Sequence, residues 1–225
     1  MDGQSFDEQA CRQALQQGVT ALALTLSPRQ EALLLRFLAL LVKWNKAYNL
    51  TAVRNPLEMV GRHLLDSLVL LPHLTTSSCL DMGTGPGLPG IPLAIMQPQT
   101  RFVLLDSNSK KIRFVRQAVL ELGLENIEPV HARVERYRPD APFQTLIARA
   151  FTTLPRMLEL TTGLRGQETE LLAMKGRVPR EEIAWISTEC QCDIIPLRVP
   201  CQEGERCLVR IRQRERLPPS TTLPL

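Results

Sequence analysis

No run of about 18 consecutive uncharged apolar residues occurs in the 225-residue chain, which excludes a membrane-spanning helix. The first residues, MDGQSFDEQACRQ, are acidic where a secretory signal would be basic and then apolar, so a soluble cytoplasmic protein is expected. Internal repeats are also missing. The six cysteines (Cys11, Cys79, Cys190, Cys192, Cys201 and Cys207) lack the paired C-x-x-C spacing of tetrahedral zinc sites; they read as reduced thiols, and no metal is predicted. A strong charge excess is absent too. A net charge of +4 and a pI near 8.9 permit nucleic-acid binding without requiring it. What is present is 44% hydrophobic residues with a mean hydropathy of -0.06, enough to bury a core and to exclude disorder for most of the chain.

The first 75 residues read as helical and contain no strand signal. Ser27-Pro28-Arg29-Gln30 combines an N-cap, a first-turn proline and a Gln at N3, and it opens an apolar stripe through Leu33, Leu34, Phe37, Leu38, Leu41 and Trp44. Asn55-Pro56-Leu57-Glu58 repeats the start signal before Met59, Leu64, Leu65, Leu68 and Leu71. From Ser77 onward, short apolar runs (CLDM, RFVLLD, IEPVHA, FQTLIARAF, TELLAMKG) alternate with helical segments, the pattern of a mostly parallel sheet covered on both faces. CDIIPLRV and RCLVRIR have no helix between them, which predicts an antiparallel hairpin. The expected organisation is a helical cap over 1–75, an α/β domain over 76–214 and a disordered tail over 215–225. No exposed heptad argues for a dimer, so a monomer is expected.

LDMGTGPGLPG, Leu80 to Gly90, contains a literal G-x-G-x-x-G at Gly85, Gly87 and Gly90. Glycines let the backbone approach a ligand closely, and in an open parallel sheet the turn after the first strand faces the ligand crevice. Three details disfavour a nicotinamide cofactor. The better frame is Asp81-x-Gly83-x-Gly85-x-Gly87; Pro86, Pro89 and Pro92 remove N–H groups that a pyrophosphate would use; and Asp81 would repel phosphate. An acid at this place suits a cofactor carrying an ammonium or a sulfonium. Asp106, ending RFVLLD roughly twenty residues on, can accept hydrogen bonds from vicinal ribose hydroxyls. Together these features resemble the S-adenosylmethionine site of Rossmann-like class I methyltransferases.

The likeness then becomes more specific. LVKWNKAYNLTAVRNPLEMVGRHLLDSL (41–68), the TGPGLPG loop, RFVLLDSNSKKIRF (101–114), ENIEPVHARVE (125–135), ARAF (148–151) and MKG (174–176) resemble the bacterial 16S ribosomal RNA guanine-N7 methyltransferases, the ribosomal small subunit methyltransferase G family. The resemblance runs over about 30–212. It implies an α/β Rossmann-like fold, S-adenosylmethionine as cofactor, 16S rRNA or the small ribosomal subunit as partner, and methylation of guanine 527 in the 530 loop. Carried over by position, cofactor contacts fall on Gly83, Leu88, Val134, Glu135 and Arg149, with Asp106 at the ribose. The competing readings are a methyltransferase of the same fold for another RNA position or a small molecule, and a non-catalytic ribosome-assembly module.

Guanine N7 has a free lone pair and loses no proton on alkylation, so no catalytic acid or base is predicted, only positioning and electrostatics. The N/D-P-P-Y/F loop of amine methylases is absent; Ala148-Arg149-Ala150-Phe151 stands there. Pro200-Cys201 has the letters of a C5-cytosine methylase but lies between the last two strands. Lys175 and Arg149 end strands at the carboxyl rim and read as functional. Arg206, Arg210, Arg212 and Arg214 would share one face of a strand, as an RNA contact or a charged edge. Lys110, Lys111, Arg113 and Arg116 form either a solvated helix face or a phosphate contact. His63 and Asp66, one helical turn apart, are a candidate hydrogen-bonded pair facing the pocket. Phe151 either stacks on the target base or belongs to the core.

Overall fold

The computed structural model describes residues 6–214, so the tail expected over 215–225 lies outside the described residues. Helix α1 (Glu8–Ala21) starts where the Asp7 carboxylate accepts the Ala10 N–H. Helix α2 (Pro28–Tyr48) begins in a capping box: Ser27 Oγ accepts from Gln30 N, and Gln30 Oε1 accepts from Ser27 N. It stops at Asn49, which adopts the left-handed conformation. The expected stripe is the buried face: Leu34, Phe37, Leu38 and Leu41 are inaccessible to solvent. A third rod is compound, with α3 (Pro56–Met59), a π-helical stretch over Val60–Leu65 and α4 (Asp66–Leu68) running into one another.

The remainder builds one seven-stranded sheet from β1 (Ser78–Met82), β2 (Arg101–Asp106), β3 (Ile127–His131), β4 (Phe143–Arg149), β5 (Arg165–Lys175), β6 (Cys190–Pro196) and β7 (Cys207–Gln213), in the order β3-β2-β1-β4-β5-β7-β6. The first five strands are parallel. The last two form the expected antiparallel hairpin, but β7 lies inside it, antiparallel to both β5 and β6. Burial accounts for that order: Cys207, Leu208, Val209 and Ile211 are buried, so β7 needs neighbours on both sides, while β6 can serve as an edge.

One face of the sheet is covered by α5 (Gly90–Met96), α6 (Ser109–Leu122) and the N-terminal helices, whose residues from Cys11 to Leu74 share a continuous core with Phe102, Leu104, Phe114 and Leu208. The opposite face is covered by α7 (Leu154–Leu160) and α8 (Arg180–Ile186) around Leu80, Val103, Leu146, Leu171 and Val209. The N-terminal helices are therefore a layer of the core, and their loss would expose one side of the sheet.

Candidate functional site

Strand order reverses between β1 and β4, and the crevice beyond their carboxyl ends is where an open α/β sheet receives its ligand. The glycine loop leaves β1 there. Gly83, Gly85 and Gly87 all take positive φ, which accounts for their alternate spacing. A Cβ on Gly83 would lie 2.7 Å from the Phe151 ring, and one on Gly90 would lie 2.7 Å from Asp81 Oδ2 and 2.8 Å from Leu104.

Asp81 has a structural task that the sequence reading does not foresee. It is wholly buried, and Oδ2 accepts from Thr84 Oγ1 (2.6 Å) and Gly90 N (2.9 Å), so the carboxylate ties the loop and the start of α5 to β1, while Oδ1 has no partner within the protein. Burial raises its pKa to about 6, against the lowering effect of those two donors. Gly87 packs on Ile91 of α5, and the Leu88 side chain is buried in the core.

In front of the loop lies a cavity of about 350 Å³ lined by Gly83, Asp106, Lys111, Val134, Glu135 and Phe151 among others. Gly83, Asp106, Val134 and Glu135 were all expected at the cofactor, and strands β1 and β2 with the turn after β3 bring them together. Asp106 Oδ2 accepts from Gly85 N (2.9 Å) and Oδ1 from Asn108 N (2.7 Å), which fixes the carboxylate at the rim. A carboxylate has further lone pairs to offer, and a cradle that a Cβ at Gly83 would fill sits beside it. These residues fit an adenosyl group.

A second cavity, of about 920 Å³, meets the first at Ala150 and is lined by Arg62, His63, Asp66, Arg149, Lys175, Gln202 and Arg206 among others. Ala150 follows β4 with φ +49, a left-handed residue where the two cavities join. Arg149, expected at the cofactor, lines this second space next to Ala150: its Nη1 donates to Asp66 Oδ2 (2.9 Å) and to the Arg62 carbonyl (3.3 Å). The π-helical stretch turns Arg62 and His63 the same way. His63 and Asp66 do not pair. His63 Nε2 meets Thr51 Oγ1 at 2.9 Å, whereas Asp66 faces Arg149 and, through Oδ1, Arg206 at 3.5 Å. Lys175 donates to the Thr152 carbonyl (2.8 Å) and pairs with Glu182 (3.0 Å).

Arg210, the other β7-segment arginine expected at RNA, lies apart from this space. β7 runs antiparallel to β5, so only Arg206 reaches the carboxyl rim; Arg210 lies toward the other end, donating to the His73 carbonyl and facing Glu170 at 3.8 Å. Arg212 pairs with Glu170 and Asp193. The arginines of β7 are thus engaged by carboxylates and do not form an open basic edge.

The sequence reading missed Arg62 and Gln202, which come from segments far apart in the chain. Cys201 lies between the last two strands in the chain, and the fold carries it to the second cavity. The remaining signal for Phe151 is its place after β4: it packs on Gly83 and lines the cofactor cavity. Among the described residues no group of three or more His, Cys, Asp or Glu could hold a metal, and no helix is long and apolar enough to cross a membrane.

Burial lowers the His63 pKa to about 4, with the charges of Arg149 and Arg62 adding to it. The unfolded chain therefore takes up a proton near the ordinary value of 6.5 while the native protein resists until about 4, and stability from this group is lost as pH falls across that window. Asp81 acts oppositely: its raised value adds stability as pH falls from about 6 toward 3.8. Urea titrations of a His63→Gln variant should lose less stability than wild type between pH 6.5 and 4.5; parallel losses would remove His63 as the acid-sensitive group.

The family model for rRNA small subunit methyltransferase G matches residues 30–209. A protein named ribosomal RNA small subunit methyltransferase G from Marinobacter nauticus is 52% identical over 203 residues, covering 90% of this chain and 95% of that protein. Its namesake in Escherichia coli is 47% identical over 190 residues, covering 84% and 92%. Among solved structures, a tRNA methyltransferase from B. subtilis aligns with a TM-score of 0.54 at 10% identity over 67% of this chain and 65% of that one. A SAM-dependent methyltransferase from Aquifex aeolicus aligns at 0.51 and 16% identity over 66% and 89%; both likenesses concern the fold alone. On the family model and these relatives, the chain belongs to the rRNA small subunit methyltransferase G family.

Proposed function

We propose that this protein transfers a methyl group from S-adenosylmethionine to N7 of a guanine in the 530 loop of 16S rRNA, acting as a monomer on the small ribosomal subunit. The observation that carries this reading is the pair of adjoining cavities, one lined by Gly83, Asp106 and Glu135, the other rich in cations (Arg62, Arg149, Lys175 and Arg206), meeting at Ala150. Family membership supports the rRNA assignment, since the curated relatives bear that name.

Bound at Gly83 and Asp106, the cofactor supplies an electrophilic sulfonium methyl group. The protein's task is then to orient the base and exclude water, because N7 attacks with its own lone pair. Arg149, locked by Asp66, and Lys175, locked by Glu182, present fixed cationic groups around the base and its phosphates. Burial raises the pKa of Cys79, Cys190, Cys192 and Cys207, so these thiols stay protonated and offer no thiolate at neutral pH. Arg62, His63 and Asp66 belong to the N-terminal helices, which on this reading complete the substrate side of the site.

The test is transfer of labelled methyl from S-adenosylmethionine to small subunits from cells lacking the endogenous enzyme, followed by nucleoside analysis. A single 7-methylguanosine in the 530 loop is expected. Cofactor binding with no label in the subunit would overturn the substrate assignment. In the same assay Lys175→Ala should reduce turnover while cofactor affinity stays unchanged, and undiminished turnover would remove Lys175 from the site.

A further inference from the structure

We infer that the outer face of α2 and α6 is a second RNA-docking surface, which holds a ribosomal RNA backbone beside the target loop; this rests on the rRNA reading above. The two helices pack directly. The Trp44 and Phe114 rings lie 5.7 Å apart, and Arg36 Nη2 donates to the Glu121 carbonyl at 2.8 Å. The start of α6 therefore lies beside the end of α2, and the helices run antiparallel.

This arrangement gathers charge of one sign. Arg36, Lys43 and Lys46 on α2, with Lys110, Arg113 and Arg116 on α6, are all exposed. Neither 32–48 nor 109–120 contains an Asp or Glu; Glu121, beside Arg36 at the far end of α6, is the acid at the edge of the patch, and its carboxylate accepts from Gln117. Among the described residues none of the six makes an ion pair, in contrast to Arg206, Arg210 and Arg212 of the C-terminal segment. Solvated surfaces usually intersperse both signs, and a block of unpaired cations on two packed helices is the electrostatic footprint of a polyanion.

The patch is also continuous with the site. Lys111, in the first turn of α6, lines the cofactor cavity, and Lys110 and Arg113 continue from it down the outer face. From Arg36 to Lys46 the α2 row covers about 15 Å at 1.5 Å per residue. Through Lys111 the patch reaches the cofactor cavity, which in turn meets the second cavity at Ala150. Contacts with phosphate add affinity that is independent of base sequence and falls with salt.

Lys43→Gln with Arg113→Gln, flanking the Trp44–Phe114 contact, removes two cations and leaves the cavities intact. At 0.15 M salt the double variant should bind small subunits, and protein-free 16S rRNA, about 15- to 30-fold more weakly, and the slope of log affinity against log salt should become shallower by about 1.4 to 1.8. Cofactor affinity should not change. Arg101→Gln, on the other side of the sheet, serves as the control and should leave affinity and slope alone. Unchanged binding and slope in the double variant would make the patch a solvated face. A defect on subunits but not on free RNA would assign the surface to a ribosomal protein and overturn the inference. Binding is read separately from turnover, so a wild type that binds RNA without methylating it would fail the activity reading and not this one.

Discussion

Asp106→Ala should raise the dissociation constant for S-adenosylmethionine about a hundredfold while the protein remains folded. The carboxylate sits at the end of β2, lines the cofactor cavity and is only 8% exposed. It anchors Gly85 N and Asn108 N, so its loss both removes the acceptor for the ribose hydroxyls and frees the loop that faces the cofactor. A hydrogen bond to a charged acceptor contributes about 1.5–3 kcal/mol, and two weakened together give about 3 kcal/mol, or about two orders of magnitude in affinity. Asp106→Asn keeps the size and one acceptor and should fall between the two. Calorimetric titration measures the affinities, and thermal unfolding checks the fold. Wild-type affinity in the alanine variant would take Asp106 away from the ribose.

Asp66→Ala is expected to damage stability and turnover together. Its side chain is 7% exposed, and it is the carboxylate that faces both Arg149 at 2.9 Å and Arg206 at 3.5 Å. Removing one member of a buried pair leaves the other charge uncompensated, at a cost of about 3 kcal/mol; this is the lower end of the usual range, because both arginines keep some access to water. For a domain of this size that lowers Tm by about 6–12 °C. Arg149, no longer held against the Arg62 carbonyl, would lose its orientation, so kcat should fall while cofactor affinity holds. Asp66→Asn retains an acceptor for Arg149 and should restore much of the stability but less of the turnover. A normal Tm and kcat in the alanine variant would reduce the Asp66–Arg149–Arg206 cluster to a surface arrangement.

Much of the fold was legible because it rests on local rules. The Ser27-Pro28-x-Gln30 capping box, the α2 stripe and the order of strands and helices after Ser77 are set by periods of 3.6 and 2 and by cap chemistry. The cofactor side was legible for a related reason. Gly83, Gly85 and Asp106 lie within 24 residues, on two adjacent strands whose register is set by parallel pairing. Even there the burial of Asp81 could not be read from the sequence. Residue type placed an acid beside the cofactor, but only its burial against Thr84 and Gly90 makes it a brace for the loop.

The substrate side could not be read in this way, since its parts meet only through long-range contacts. Arg149 is 83 residues from Asp66, and Arg206 is farther still. Whether an arginine on β7 is free or paired depends on the strand running antiparallel beside β5, which sets Glu170 against Arg210 and Arg212 and leaves Arg206 at the rim. The sequence alone determined the α/β class, the glycine loop, the acid that ends β2 beside it and the family resemblance, because each is written in a short segment with a fixed spacing. Tertiary structure decided which cations are neutralised, which carboxylates are buried and how two cavities join at Ala150, because charge pairing and burial depend on distances in space that chain order does not specify.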